Sequence, residues 1–570
     1  RKIFRQLALA ELHSSVKWIV EELVEIFKVT EMKRILHNYK KDPLVHFYED
    51  FLSEYNPKIR EEFGVWYTPI EVVNFIVDSV DYILRTELNI KEGLADNSMI
   101  DYNGKSTHRV QILDPATGTG TFLAVAAEKI KANYLGQEGL WSEDVIHHIV
   151  PRLNAFEYLM APYTMAHLKL STTLGLDKLT DEYIDRLNIY LTNSLEEDHP
   201  ETELPFAKFI TDESNAANLI KRETPVMVVM GNPPYNEKSA NTGEWIMNLL
   251  DDYKQEPGMT RIQVSRNKKT GKVTYKNTLK GANPKGINND YCKFIRLGQN
   301  FVDRTKEGVL AYICGNTFLD TRLFRGMRYN LLQEFDDIYI INLHGSSKRK
   351  EGEEGKKDEC VFNILVGVSI NIFVKRKNAN HSELAKVHYY DLYGTRREKL
   401  DFLSSHALSD IDFNIITPTA PLYTFRTRNE ELRSWYERGF EIRELMPSGM
   451  SQGIKTGLDS IVLHYDKKEI ENFCNLLPLT EFDSIKERFS FADTEIEKKK
   501  YNRVRNAIIA NHYNPQSSIC EIAYRPFDNR WTAYNRFFMD RPRADIQKNI
   551  FGKKNTILCL GQEGSSLGEA

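Results

Sequence analysis

The sequence predicts an α/β fold, a mostly parallel sheet with helices on both faces, and three observations predict it. Short apolar runs alternate with stretches of helical periodicity from about residue 70 to about residue 375. A glycine-rich turn, DPATGTGTF at 114–122, stands where one such run hands over to a helix. A second apolar run, VMVVM at 226–230, stops dead at GNPPY, 231–235, where two prolines can neither donate backbone hydrogen bonds nor continue a strand.

Along the chain, LALAELHSSVKWIVEELVEIF within residues 1–60 has the three-and-four apolar spacing of a packed helix. Pro69 followed by IEVVNFIVDSVDYIL predicts a helix with proline in its first turn. Val110–Leu113 is a strand ending at Asp114, and FLAVAAEKIKANYL is the helix after it. Further strands are expected at Leu153–Phe156, Ile189–Leu191, Val226–Met230, Val309–Cys314, Ile338–Leu343 and Ile364–Val374. No helix separates the last two, which suggests an antiparallel hairpin at one sheet edge. Residues 236–289 are a polar excursion whose KKTGK centre predicts a hairpin turn, and 345–359 form a charged loop. Strict alternation is lost beyond about residue 420, and TPTAPLYTF at 417–425 resembles a connector. The expected division is a helical segment 1–60, a sheet domain 61–416 and a mixed α/β domain 417–570.

Composition bounds the function. At 41 % hydrophobic residues the chain can bury sizeable cores, and a formal charge of −4 confines any nucleic-acid surface to a local patch. None of the six cysteines sits in a CxxC pair, so neither zinc nor a disulfide scaffold is expected, and a reducing cytosol fits. No apolar run approaches the roughly 20 residues that span a bilayer, and no signal peptide is visible. The chain opens Arg-Lys-Ile without a methionine and ends abruptly, which suggests a fragment of something larger, although processing or disorder at the ends would look the same.

The glycine turn is where the chemistry starts. Gly118 and Gly120 let the backbone turn tightly and approach a ligand, and ligands of open α/β sheets bind at this edge. Asp114 can accept hydrogen bonds from a cationic amine or a ribose. No GxxxxGK[ST] occurs, so a triphosphate cradle is unsupported and a nucleoside-bearing cofactor is favoured. Glu157 ends the next strand, where a carboxylate can chelate a ribose diol or serve as a helix-start charge. Asn193 follows the strand after that and suits either an adenine edge or a helix cap.

With these neighbours, GNPPY at 231–235, DPATGTGTF at 114–122 and YTP at 67–69 resemble the adenine-N6 amino-methyltransferases of DNA over roughly residues 60–375. The resemblance implies a Rossmann-like methyltransferase sheet, S-adenosylmethionine as cofactor and a target base rotated out of the duplex. It assigns catalysis to Asn232, Pro233, Pro234 and Tyr235. It assigns cofactor binding to Tyr67, Thr68, Pro69, Asp114, Ala116, Thr117, Gly118, Gly120, Thr121, Phe122, Glu157 and Asn193, with Asn232 bordering the same pocket. Tyr291, Phe294 and Ile295 resemble the helix that packs under the cofactor, with core packing the alternative. Phe362 is a candidate to back the flipped base, and a core Phe is the alternative.

HFYEDFLSEYNPKIREEFGVWYTP, SQGIKTGLDS at 451–460 and YRPFDNRWTAYN at 524–535 resemble the Type ISP restriction–modification enzymes, with relatives of the Type IIG kind nearly as close. That implies a coupler-like segment at 1–60, a methyltransferase at 61–416 and a target-recognition region at 417–570. It also implies duplex DNA as partner, with nuclease and ATP-driven translocase parts elsewhere in a full-length chain. Arg525, Arg530, Arg536, Arg541, Arg543, Lys548, Lys553 and Lys554 mix with aromatics as DNA contacts would, although domain interfaces use the same residues. The basic stretch near Lys268–Lys280 is a second candidate for backbone contact. Two rivals stay open: a binding module on a methyltransferase fold with little turnover, and a methyltransferase of RNA or protein.

Overall fold

The computed structural model of the chain describes residues 68–555, apart from 137, 177–185, 198–204, 237–238, 267–272, 277, 280–283, 347–356, 363, 378–382, 428, 441–443, 445–450 and 526, together with 18, 22, 25, 26 and 29. The helix expected within 1–60 therefore lies outside the described residues, save those five positions, which are helical. The chain forms two compact units that divide between Arg428 and Asn429.

The first unit opens on α1 (Ile70–Thr86). Pro69 sits one place before it, and its carbonyl accepts the amides of Val72 and Val73 at 3.0 and 3.2 Å. A residue with no amide proton thus starts the helix and still satisfies two of its free donors. A small hairpin, β1 (Met99–Tyr102) and β2 (Lys105–His108), leads into the main sheet. There β3 (Gln111–Asp114), β4 (Leu153–Glu157) and β5 (Asn188–Leu191) alternate with α2 (Thr121–Ala132) and α3 (Met160–Leu174). Then α4 (Pro205–Glu223), β6 (Val226–Gly231) and α5 (Glu244–Leu250) precede the hairpin β7 (Ile262–Arg266) and β8 (Val273–Lys276). β7 and β8 pair antiparallel; the KKTGK segment between them, where a turn is expected, lies outside the described residues. The unit continues with α6 (Asp290–Thr305), β9 (Gly308–Gly315), α7 (Arg325–Glu334), β10 (Asp337–His344), β11 (Val368–Lys375), β12 (Lys386–Asp391), α8 (Arg396–Ser405) and β13 (Asn414–Ile416).

The nine-stranded sheet has the order β13-β12-β10-β11-β9-β6-β3-β4-β5. All strands run one way except β11 and β13. The expected edge hairpin is corrected here. β10 and β11 are antiparallel neighbours, but β11 lies inside the sheet between β10 and β9, and β12 and β13 extend it to the edge. Burial explains this: every residue of β11 is buried, which an edge strand cannot achieve, whereas β13 is largely exposed. The strand also starts at Val368, not Ile364.

Side chains along β9 alternate between two cores, Val309, Ala311 and Ile313 on one face and Leu310, Tyr312 and Cys314 on the other. α1, α2, α3 and α8 cover the first face; α4, α5, α6 and α7 cover the second. Each aliphatic side chain so buried contributes about 1.5–3 kcal/mol. The stretch 417–425 is bonded to this unit, since Arg328 donates to the carbonyls of Leu422 and Tyr423 and Phe425 N–H to Leu319 O.

In the second unit, α9 (Lys467–Leu476), α10 (Glu495–Ala510) and the hairpin β14 (Ile519–Arg525) and β15 (Asp528–Ala533) enclose a core rich in Phe473, Phe482, Tyr501 and Phe538. Among the described residues no helix is long and apolar enough to cross a membrane.

Candidate active site

Strand order places the site. The chain leaves β3 for β4 and β5 on one side and returns to β6 on the other, so a crevice opens between the carboxyl ends of β3 and β6. Asp114 and Gly231 end those two strands. A β-carbon on Gly231 would lie 2.6 Å from Asp114 Oδ1, so only glycine lets the carboxyl sit there. The two motifs therefore abut.

The turn after β3 is tied down from within. Thr117 Oγ1 donates to Asp114 O at 2.7 Å, Thr117 N–H to Phe156 O at 3.1 Å, and Ala116 N–H to Asp114 Oδ1 at 3.1 Å. Gly118 and Gly120 both have the left-handed φ that favours glycine, +54° and +80°. Their surroundings differ. A β-carbon at Gly120 would meet Ala166 of α3 at 3.1 Å, a packing requirement, whereas at Gly118 it would meet open space. Glu157, at the end of β4, accepts Gly118 N–H and Leu159 N–H, each at 2.8 Å. Burial pushes its carboxyl up to about 7, against the pull of those amides.

Asp114 is fully buried, and its Oδ2 has no hydrogen-bond partner among the described residues. Burial pushes this carboxyl up to about 8; the Ala116 amide opposes the shift and the nearby Glu157 adds to it. An acid whose neutral form the fold favours opposes folding increasingly as pH climbs from about 4, its unfolded value, through its folded value. Asp114→Asn should therefore melt like the parent chain near pH 4 and at a higher temperature at about pH 8–9 in the absence of cofactor. Thermal unfolding across that range checks it, and a gap that closes with rising pH would contradict it.

GNPPY continues from β6. Asn232 is half-buried. Its Nδ2 donates to Thr68 Oγ1 at 3.0 Å, and its Oδ1 lies 2.7 Å from the Tyr235 hydroxyl. YTP and GNPPY, 164 residues apart, thus meet through one hydrogen bond. Tyr67 lies outside the described residues. The Tyr235 hydroxyl is also 3.1 Å from Ile313 O, and its ring stands 6.3 Å from that of Phe362. Phe362 is buried in the core behind it. Pro69 and Pro233 are buried and Pro234 half-buried, so the loop has little room to move.

The other expected site residues make contacts of their own. Phe122 belongs to the first core, and the Thr121 hydroxyl accepts from Lys169 Nζ at 3.0 Å. Tyr291, Phe294 and Ile295 are buried in the second core. Asn193 caps its own turn, accepting Leu195 N–H at 3.0 Å, and donates to Asn241 Oδ1 at 2.8 Å.

That last contact leads to residues the sequence did not single out. Lys293 on α6 is fully buried and donates to Ser239 Oγ and Asn241 O, both at 2.6 Å, with Asp290 Oδ1 at 3.7 Å. Asp290 N–H donates to Asn236 O at 3.2 Å. The segment after GNPPY is thereby strapped to α6 on one side and to the end of β5 on the other. Burial lowers the Lys293 pKa, which the carboxyl of Asp290 partly offsets. Its only sequence signal is a lysine enclosed by apolar neighbours in NDYCKFIRLG.

Two segments of the chain and its fold are similar to known proteins. Residues 39–259 match the family model of the N-6 DNA methylases, and residues 444–569 match that of the Type ISP C-terminal specificity domain. The fold is similar to that of the Type ISP restriction–modification enzyme LlaGI, solved as a nuclease-deletion mutant with a DNA substrate mimic (TM-score 0.60, 21 % identity, 95 % of this chain and 42 % of that one). It is similar also to the ATP-dependent Type ISP enzyme LlaBIII bound to DNA (0.59, 23 %, 87 % and 31 %) and to the DrdV–DNA complex (0.56, 22 %, 88 % and 46 %). The chain spans less than half the length of each. No curated protein matches it.

Proposed function

We propose, for a chain that carries an N-6 DNA methylase segment followed by a Type ISP C-terminal specificity segment, that it is a site-specific adenine-N6 DNA methyltransferase working within a restriction–modification enzyme. The observation that carries this reading is the Thr68–Asn232–Tyr235 assembly at the end of β6, directly beside the buried Asp114.

The chemistry demands such a site. The lone pair of an exocyclic adenine amine is delocalised into the ring, so the amine is a poor nucleophile. Two acceptors that take its two N–H bonds favour a tetrahedral nitrogen and free that lone pair. The Asn232 side-chain oxygen and the Pro233 carbonyl are the acceptors offered here, and the twin prolines hold them in place beforehand. No strong base is needed. Reaching the amine requires the base to leave the duplex, and Tyr235, backed by Phe362, gives it a ring to stack on.

The crevice fits S-adenosylmethionine, which supplies a sulfonium methyl when bound. The orphaned Asp114 Oδ2 suits a cationic amine, Glu157 suits a ribose diol, and the open space over Gly118 leaves room for the nucleoside. Asn193 and the backbone of 116–118 are assigned to the same pocket. Residues 1–60 are assigned to a coupler, 61–416 to the methyltransferase and 417–570 to target recognition. Nuclease and translocase parts belong to the full-length protein, in the cytoplasm.

Thr68→Val tests the loop directly. It removes the acceptor that fixes the Asn232 amide and should lower kcat about three- to tenfold, the weight of one hydrogen bond. The function itself is tested by labelled-methyl transfer from S-adenosylmethionine to unmethylated duplex DNA, followed by nucleoside analysis. Label in N6-methyladenine is expected. Label in RNA or protein but not in DNA, or no transfer at all, would overturn the reading.

A further inference from the structure

The hairpin β14–β15 presents an arginine whose setting is built rather than incidental. The Arg530 guanidinium stands 4.0 Å from the Tyr465 ring centroid and 4.8 Å from that of Tyr524. Its Nε and Nη2 donate to the two carboxylate oxygens of Asp528, each at 2.9 Å. One ring is anchored by its hydroxyl, and the other is placed by the backbone beside it. Tyr524 donates its hydroxyl to Asp459 Oδ2 at 3.1 Å. Tyr465 follows His464, whose backbone pairs with Trp531, the neighbour of Arg530, at 2.9 and 2.8 Å. Among the described residues Nη1 makes no hydrogen bond, and it is not buried. Tyr465 is exposed beside it, and Phe527, in the turn between the strands, is exposed too.

Guanidinium chemistry says what such a group can do. It has five N–H donors in a rigid plane. The carboxylate occupies the edge formed by Nε and Nη2. The end formed by Nη1 and Nη2 keeps donors that can fork onto two acceptors side by side. In the major groove of DNA, guanine O6 and N7 form that pair. The rings fix the plane in advance, so little side-chain entropy is lost on docking. The Asp528 pairing also discriminates between the two things an arginine does on DNA. It cancels most of the net charge, weakening any pull on phosphate, and leaves the directional donors intact.

We propose that Arg530 is a sequence-reading residue that forks onto a guanine of the target duplex, with Asp528, Tyr465 and Tyr524 as its positioning residues. This rests on reading 444–569 as the segment that recognises DNA. The test is selection of bound sequences from a randomised duplex pool by the full-length protein. The parent chain should enrich a motif with an invariant guanine. Arg530→Ala should lose discrimination at that one position, on the order of ten- to a hundredfold, and keep the rest of the motif. Arg530→Lys, which retains charge and bulk and so guards against misfolding, should lose it too, because an ammonium cannot fork. An unchanged motif in both variants, with binding weakened on all sequences alike, would make Arg530 a phosphate contact and overturn the proposal; so would a parent chain that enriches no motif. Methyl transfer measured on the same preparations separates the two readings. A parent chain that selects the motif and loses one guanine in the variants, yet transfers no methyl group, supports this proposal and refutes the catalytic one.

Discussion

Asn232→Ala should slow methyl transfer by about two to three orders of magnitude, the scale seen when one preorganised electrostatic group is removed from a reaction centre, while S-adenosylmethionine binds nearly as before. The separation follows from the contacts. The Asn232 side chain is held by Thr68 and Tyr235, whereas the groups suited to the cofactor, Asp114 and Glu157, are held by the turn after β3. Alanine removes one of the two acceptors for the amine and leaves that turn alone. Single-turnover transfer with labelled cofactor gives the rate, and calorimetry gives the affinity. A variant that methylates at the parent rate would refute the role assigned to the carboxamide.

Lys293→Met should destabilise the first unit by about 3–5 kcal/mol, the cost of breaking a buried ion pair from one side. The ammonium is enclosed, and its removal leaves the buried carboxyl of Asp290 facing Ser239 and Asn241 without a cation. Asp290→Asn on top of it should recover most of the loss, since replacing both charges removes the mismatch. The strap also holds the chain just beyond GNPPY, so kcat should fall in the single variant and rise again in the double. Urea unfolding with single-turnover rates on the four proteins of the cycle checks both. Equal stability of Lys293→Met and the parent chain would show the strap to be idle.

How much of this was legible beforehand divides along physical lines. The glycine turn, the acid at the end of β3 and the proline-terminated strand are local signals, because backbone conformation at Gly118, Gly120, Pro233 and Pro234 depends on those residues themselves. The interior place of β11 was not legible. It depends on pairing with β9, beyond the neighbouring β10, and an apolar run says only that both faces are covered. The bond between Thr68 and Asn232 is likewise a product of topology. Lys293 stayed hidden because a lysine among apolar neighbours looks the same whether its ammonium reaches solvent or a buried partner. Phe122 shows the reverse case: a residue of the motif whose side chain the core claims.

The Tyr235 hydroxyl, with Asn232 Oδ1 on one side and Ile313 O on the other, means that the loop can idle without an exposed grievance. Under the proposed function, the phenol occupies the carboxamide oxygen between turnovers, so no dehydrated acceptor waits for a base that has yet to arrive. When an incoming amine claims that oxygen, the phenolic proton has somewhere else to go within its own reach. Substrate entry is then an exchange of partners at one rotor, and departure of the product is the same exchange run backwards.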